Sequence, residues 1–289
     1  MNLAGFVLQL LNGLQFSMLL FLLAVGLSVV FGLMNFVNLA HGTLYMLGAF
    51  VGYSVAEQVG SFWVALAAGT AAAAAAGALF YATLLRRMQA EGAMKQVLVT
   101  FGLIFVGIDA VRFVWGDNTH SIVAPSLPGG AVDIFGEMYP VYRLFIIALG
   151  VTVALLLYLG LERTRLGAVV RAGVDDREMA TSLGLNVDLA FFIVFCLGCA
   201  LAGLAGVVAA PVLQVYPGMD IAVLIPALVV VVVGGPGRLG GAFLGALLIG
   251  IAITFGNVLI PDFASFIIYG VMVAVLLLRP QGLLGPRHR

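Results

Sequence analysis

Charge is the scarcest property of this sequence. Only 9% of its 289 residues are charged, whereas ordinary soluble domains carry about 25%, and the first charged side chain is Glu57. A soluble protein with so little charge would precipitate, so the composition excludes an ordinary soluble domain. The formal net charge is zero, which argues against nucleic acid as a partner.

Side chains for catalysis or metal binding are also few. The sequence has one lysine, Lys95, and three isolated histidines. Cys196 and Cys199 have CxxC spacing but lack the polar neighbours that redox or zinc chemistry needs, so we expect them to pack as small apolar side chains. The glycine-rich segment Gly234–Gly241 lacks the Gly-Lys-Ser/Thr of a phosphate-binding loop, so we expect a tight turn or hinge there. These absences predict a chain that is not an enzyme and binds no metal or cofactor itself.

Long apolar runs dominate what is present. Hydrophobic residues make up 63% of the chain, and the mean hydropathy is +1.18. The runs are continuous rather than alternating, which predicts an all-α membrane protein, a polytopic helical bundle of about nine (eight to ten) transmembrane segments. The predicted segments are Phe6–Leu33, Thr43–Ala56, Phe62–Leu85, Gln96–Trp115, Leu144–Leu161, Leu189–Ala209, Ile221–Val233, Gly241–Leu259 and Phe263–Leu278.

The distribution of basic residues predicts the orientation. Eleven of the 13 lie between spans three and four, between five and six, between seven and eight, and after span nine. With nine spans these segments share one face, which the positive-inside rule assigns to the cytoplasm. The N-terminus is then outside and the C-terminus in the cytoplasm, with Arg112 and Arg143 as exceptions at outer ends. Met1–Ala56 has no Lys or Arg, so we expect no cleavable signal peptide.

A polar stripe interrupts the first apolar region. Asn35, Asn38 and His41 recur every three residues and so share one face of a helix. Polar groups in a charge-free stretch avoid lipid, which leaves two interpretations. Either a helix breaks within the membrane and borders the translocation path, or the stretch is a cytoplasmic hairpin. We predict a path or gate formed by Asn35, Asn38, His41, Gly42, Gly234, Gly235 and Pro236.

Other features predict packing or surface structure. Small residues recur every four positions, at Gly48 and Gly52 and again at Gly198, Ala202 and Gly206 and at Ala242, Ala246 and Gly250, which lets helix backbones approach closely. Asp109 and Arg112 are spaced for an intrahelical ion pair. The outer connection of residues 116–142 is rich in Gly and Pro and predicts a folded loop or short hairpin, either a contact for a solute receptor or a solvated cap.

The longest water-facing helical segment covers residues 163–186. Thr164 is predicted to cap a short helix that stops at Gly173, and Asp175 to cap a second one that stops at Gly184, with Glu178 as a capping-box partner. Each helix has an apolar ridge, Leu166, Val169 and Val170 on the first and Met179 and Leu183 on the second. Either ridge packs on its own bundle, or charged residues surround it as the rim of a docking surface.

Three stretches of this sequence resemble one known family. NFVNLAHGTLYMLGAF, TRLGAVVRAGVDDREMATSLGLNV and the closing RPQGLLG are similar to permease subunits of bacterial branched-chain amino-acid ABC importers, and most similar to the first of the two paralogous permeases (Liv type). The likeness covers nearly the whole chain. It implies a single transmembrane permease domain, residues 1–289, in the bacterial plasma (inner) membrane.

The resemblance also implies partners. These are a second, paralogous permease, two cytoplasmic ATPase subunits that use ATP and magnesium, and a periplasmic or surface solute-binding protein. The usual Glu-Ala-Ala…Gly coupling motif is only approximated here. The implied coupling residues are Arg171, Asp175, Asp176, Glu178, Met179, Ala180 and Gly184.

Rival functions remain at this point. A urea or short-chain amide permease of the same superfamily fits the same residues. An ion-coupled secondary amino-acid transporter needs an unpaired acidic group within a span, and Asp109, with Arg112 beside it, is the only candidate that the sequence suggests. A membrane enzyme needs a catalytic cluster, which the sequence does not contain.

Overall fold

The computed structural model describes residues 3–34, 38–85, 87, 92–126 and 129–284. Those residues form eleven α-helices and one β-hairpin, and a π-helical turn, Tyr81–Leu85, extends the third helix. The helices are α1 (Leu3–Met34), α2 (His41–Val59), α3 (Phe62–Phe80), α4 (Ala93–Trp115), α5 (Val141–Glu162), α6 (Arg165–Asp175), α7 (Arg177–Ser182), α8 (Val187–Leu213), α9 (Met219–Gly234), α10 (Leu239–Leu259) and α11 (Ala264–Leu278).

Every predicted span coincides with a helix. The helices α1, α3, α4, α5, α8 and α10 are long and apolar enough to cross a membrane, and α9 and α11 contain shorter apolar helices. The all-α membrane fold is therefore confirmed. The helices α6 and α7 occupy the predicted polar segment between α5 and α8.

The connection before α5 folds into the predicted hairpin. Strand β1 (Ala131–Ile134) pairs antiparallel with β2 (Glu137–Pro140), and the Asp133 carboxylate accepts a hydrogen bond from Gly136 N at 2.7 Å. Burial raises the pKa of Tyr139, although nearby Arg143 opposes the shift, so its hydroxyl is neutral at pH 7. The helix α5 runs from this hairpin to α6, and we call the two extremities of the bundle the hairpin end and the α6/α7 end.

Small residues bring the helix backbones into contact, as predicted. A Cβ on Gly48 would lie 2.4 Å from the Gly203 Cα, and a Cβ on Gly206 would lie 2.1 Å from the Tyr45 carbonyl oxygen. The helices α2 and α8 therefore touch through their main chains. Buried Cys199 packs against Gly77 in α3, and both cysteines are free, which agrees with their predicted packing role.

The bundle has the packing pattern of an inverted repeat. The contact of α1 with α10 corresponds to that of α8 with α3. Likewise, α2 packs on α3 and α8, and α9 packs on α10 and α1. Finally, α4 lies on α2, and α11 lies on α9. Exchanging α1–α4 with α8–α11 reproduces all these pairs, and α1 and α8 run in opposite directions. Inverted repeats of this kind are common in transport proteins. The segment α5–α7 is inserted between the two halves.

Two helices start inside the bundle. The first residue of α2, His41, lies against Gly26 of α1, which is eight residues, or about 12 Å, before the end of α1. The repeat-related helix α9 has only 16 residues, about 24 Å, and its last residue packs on Gly241 at the α6/α7 end. It therefore begins well short of the hairpin end.

Replacing Gly48 with Ala tests the backbone contact. We expect the free energy of unfolding to fall by about 1–3 kcal/mol, the usual cost of overpacking, because the new Cβ meets the Gly203 backbone. Gly102→Ala is the matched control, since nothing lies within 4 Å of a Cβ there. Thermal unfolding in detergent measures both variants, and equal stability would contradict the contact.

Candidate functional site

The helix α6 is anchored to the bundle. The Thr164 hydroxyl accepts a hydrogen bond from Gly167 N at 3.3 Å, which confirms the predicted cap. The predicted stop at Gly173 is wrong, because the helix continues to Asp175. Gly173 serves close packing instead, since a Cβ there would lie 2.5 Å from a Val187 methyl group.

The cap of α7 is displaced by one residue from its prediction. Asp176, not Asp175, is the N-cap, and its carboxylate accepts a hydrogen bond from Met179 N at 2.8 Å. Glu178 is therefore the second helical residue and not the third, so the predicted capping box does not form. The predicted stop is confirmed, because Gly184 has a φ of 80°, a conformation that favours glycine.

The two apolar ridges have different fates. Val170 of α6 is buried, and Leu166 and Val169 pack against the main hydrophobic core. On α7 and its C-terminal turn, in contrast, Met179 is 60% exposed and Leu183 is 73% exposed. Only Ala180 of α7 is buried, so α7 presents an exposed apolar ridge at one end of the bundle.

Charged residues surround that ridge. Asp175, Asp176 and Glu178 are exposed. Arg171 lies 3.5 Å from Glu162, and it also donates a hydrogen bond to the Leu161 carbonyl oxygen. These contacts tie α6 to the end of α5.

A second ion pair ties α7 to α8. Arg177 lies 2.5 Å from Asp188, and its guanidinium stands 5.9 Å from the centre of the Phe191 ring. These contacts join the start of α7 to the start of α8. An apolar ridge with a charged rim on an anchored helix has the anatomy of a protein-docking surface.

The predicted path residues that the structure describes lie in two places. Asn38 and His41 are fully buried, and none of their side-chain polar atoms has a hydrogen-bond partner among the described residues. Gly42 packs on the Asp220 backbone, whereas Asn35 lies outside the described residues. The position of His41 beside Gly26 places the start of α2 inside the bundle, which favours the broken-helix interpretation over the hairpin.

The other three predicted path residues lie at the α6/α7 end. Gly234 packs on Gly241, and Gly235 has a φ of 94°. The C-terminal segment packs against this turn, where Leu283 N donates a hydrogen bond to the Val233 carbonyl oxygen at 2.8 Å. Gly235 and Pro236 also line a cavity of about 610 Å³ next to α1 and α11. The next residue, Gly237, touches Gly32 of α1, about 9 Å along the helix from Gly26.

Sequence reasoning missed a buried acid. Asp220, in the first turn of α9, is 1% exposed, and its carboxylate accepts a hydrogen bond from the Thr43 hydroxyl at 3.2 Å. Its second oxygen has no partner among the described residues. The starts of α2 and α9 therefore meet at one polar contact inside the bundle, which we call the broken-helix junction. The available signal was a lone acid directly before an apolar run.

The remaining predictions concern the surface and metals. Asp109 and Arg112 form the predicted ion pair at 3.8 Å, and Arg112 also contacts Asp117 at 2.8 Å. Within the described part of the chain, no group of three His, Cys, Asp or Glu side chains is arranged to hold a metal ion.

The comparisons with known proteins identify the family. The family model described as "Branched-chain amino acid transport system / permease component" matches residues 9–276. The high-affinity branched-chain amino acid transport system permease protein BraD of Pseudomonas aeruginosa is 30% identical, over 96% of this chain and 95% of the relative. LivH of Escherichia coli is 26% identical, over 97% and 96%, and LivM of the same organism is 30% identical, over 93% of this chain and 68% of LivM. This chain belongs to the family of permease components of branched-chain amino acid transport systems.

Proposed function

We propose that this chain is a transmembrane subunit of an ATP-driven importer for branched-chain or related amino acids. The exposed ridge of α7 carries the proposal, because the chain has no phosphate-binding loop in its sequence and energy must enter from a partner. The family relatives, whose names specify branched-chain amino acids, support the solute class.

In this proposal the ridge docks on a cytoplasmic ATPase subunit that binds ATP and magnesium. The coupling residues are Arg171, Asp175, Asp176, Glu178, Met179, Ala180 and Gly184. Met179 supplies apolar contact, and the acids form a rim that excludes misaligned docking. The buried Ala180 packs α7 against the bundle, and Gly184 ends the helix. Closure of the ATPase dimer pushes α7, and the Arg177–Asp188 pair passes the displacement to α8.

The broken-helix junction is the proposed moving part of the path. Asn38, His41 and Asp220 have buried polar atoms without partners among the described residues, and each such atom costs about 1–3 kcal/mol. A conformation that hydrates them lowers this cost, so the junction has a physical reason to alternate between two states. Gly234, Gly235 and Pro236 form the gate at the α6/α7 end.

The proposed assembly places nine crossings in a bacterial inner membrane. The α6/α7 end faces the cytoplasm, as the basic residues indicate, and the hairpin end faces a solute-binding protein. A second, paralogous permease pairs with this chain. The present chain is similar to both LivH and LivM of one organism, which supports such a pairing.

One observation favours a second candidate, an ion-coupled transporter. Asp220 is a buried acid inside the bundle with one unpartnered oxygen among the described residues, and ion-driven transporters use such groups. The family membership and the exposed ridge favour the ATP-driven importer.

Reconstitution of the chain with its genomic neighbours tests the function. We expect leucine uptake into proteoliposomes to require ATP, the ATPase subunits and the solute-binding protein, because this chain supplies no energy itself. Collapse of the proton and sodium gradients is expected to leave uptake unchanged. Uptake that persists without ATP and stops when the gradients collapse would establish the ion-coupled alternative.

A serine at Met179 tests the docking ridge. We expect Met179→Ser to weaken ATPase binding about tenfold, because a buried Met side chain contributes about 1.5–3 kcal/mol and 1.4 kcal/mol corresponds to a factor of ten. Met94→Ser is the matched control, since Met94 is 82% exposed at the same end of the bundle, on α4. Titration of the purified permease with ATPase subunits measures both affinities, and equal affinities would refute docking at α7.

Cysteine labelling tests the orientation. Glu137→Cys on β2 and Ser182→Cys on α7 are exposed positions at opposite ends of the bundle. In intact spheroplasts, a membrane-impermeant maleimide is expected to label position 137, and to label position 182 only after lysis. The unmutated chain controls for Cys196 and Cys199. Labelling of both positions before lysis would overturn the proposed topology.

A further inference from the structure

A second polar stripe lies on α1 at the hairpin end. Gln9, Asn12 and Gln15 recur every three residues within the charge-free first segment and so share a face of the helix. Thr254 and Asn257 of α10 have the same spacing. These five side chains line a cavity of about 240 Å³ between α1, α8 and α10, which we call the amide pocket.

Hydrogen bonds determine which amide atoms remain available. Gln9 Nε2 donates to the Thr254 carbonyl at 2.9 Å, which leaves its Oε1 as an acceptor. Arg143 Nη1 donates to Asn12 Oδ1 at 2.6 Å, which leaves the Asn12 NH₂ group as a donor. Because a guanidinium only donates and a carbonyl only accepts, both orientations follow from chemistry. The Arg143 bond also places a permanent positive charge behind the Asn12 side of the pocket.

Gln15 shows that the amide pocket is incomplete. Its side chain is buried, with 5% exposure, and its Nε2 has no partner among the described residues. Buried amide donors are rarely left unpaired, so we expect an acceptor that the described residues do not supply. Apolar side chains, including Phe16, Val212 and Ile253, form the rest of the wall. The pocket thus combines amide donors with an aliphatic surface.

The volume and the lining residues of the amide pocket indicate which class of ligand fits it. A volume of 240 Å³ holds about eight water molecules at about 30 Å³ each, which suits a single amino acid. The lining contains no acidic side chain, which disfavours a cationic solute. Two amide NH₂ groups with Arg143 behind them favour a carboxylate, and the apolar wall favours an aliphatic side chain.

We propose that the amide pocket is an entry subsite that binds the carboxylate of a small aliphatic amino acid through Asn12 and Gln15. This inference rests on the proposed function and adds a binding site to it. The Gln9 Oε1 acceptor faces the solute ammonium. The subsite lies at the hairpin end, where the solute-binding protein releases its cargo, and precedes the broken-helix junction on the route inward.

Gln15→Leu in the complete importer tests the subsite. Leucine uptake by proteoliposomes is expected to fall about tenfold, the effect of losing one hydrogen bond to a charged group, while ATPase association stays unchanged. Gln58→Leu is the matched control, because Gln58 is exposed on α2 at the same end and outside the pocket. Gln15→Asn keeps an amide and is expected to recover part of the uptake. Uptake by Gln15→Leu equal to that of Gln58→Leu would overturn the proposal.

A labelling experiment decides the matter if Gln15→Leu fails to assemble. Asn257→Cys leaves the amides of α1 intact, and its modification by a membrane-impermeant maleimide reports occupancy of the pocket. Millimolar leucine, without the solute-binding protein, is expected to slow the modification at least about threefold, whereas lysine and urea are not. Equal rates with and without leucine would mean that the pocket holds only water, and would overturn the subsite.

The two proposals fail in distinguishable ways. An importer that carries no branched-chain amino acid but is still protected at Asn257→Cys by a small aliphatic carboxylate refutes the proposed solute and supports the subsite. Normal leucine import without any protection refutes the subsite and leaves the proposed function standing.

Discussion

Direct contact between helix backbones is the constraint on which the bundle depends. Apolar side chains gain little by leaving lipid for a protein interior of similar polarity, so helix association in a membrane relies on close packing. Here Gly26 lies against Gly198, and Gly48 against Gly203. These contacts let α1, α2 and α8 cross without intervening side chains. His41 and Asp220 are buried in the interior, because they lie at the starts of α2 and α9, which begin inside the bundle.

The two inverted halves and the inserted segment α5–α7 contribute different features to the permease. Each half contributes one helix that starts inside the bundle, and the two starts meet at the Thr43–Asp220 hydrogen bond. The insertion α5–α7 breaks this symmetry, because it places one exposed ridge at the α6/α7 end. The Arg177–Asp188 ion pair connects this ridge to α8. A symmetric bundle with one exposed ridge on α7 is consistent with the proposal that a separate ATPase drives this permease.

The sequence predicted the elements well and their contacts less well. Each predicted apolar run coincides with a helix, and residue spacing located the small-residue packing and the Asp109–Arg112 pair, because these features depend on neighbours along one helix. Gly173 was misjudged, since its role is to admit Val187 from another helix. Asp220 and the amide pocket were missed for the same reason: burial and partners come from helices far apart in the chain. The cap at Asp176 differs by one residue, which local propensity does not resolve.

Amide hydrogen exchange of the reconstituted permease tests the central claim, that α7 is where the ATPase engages this chain. The account predicts that adding ATPase subunits slows exchange in residues 176–184 and leaves the β1–β2 hairpin unchanged. It also predicts that ATP binding changes the exchange of α8 in the same sample, since the Arg177–Asp188 ion pair connects α7 to α8. Unchanged exchange in α7 with the ATPase bound would contradict the account.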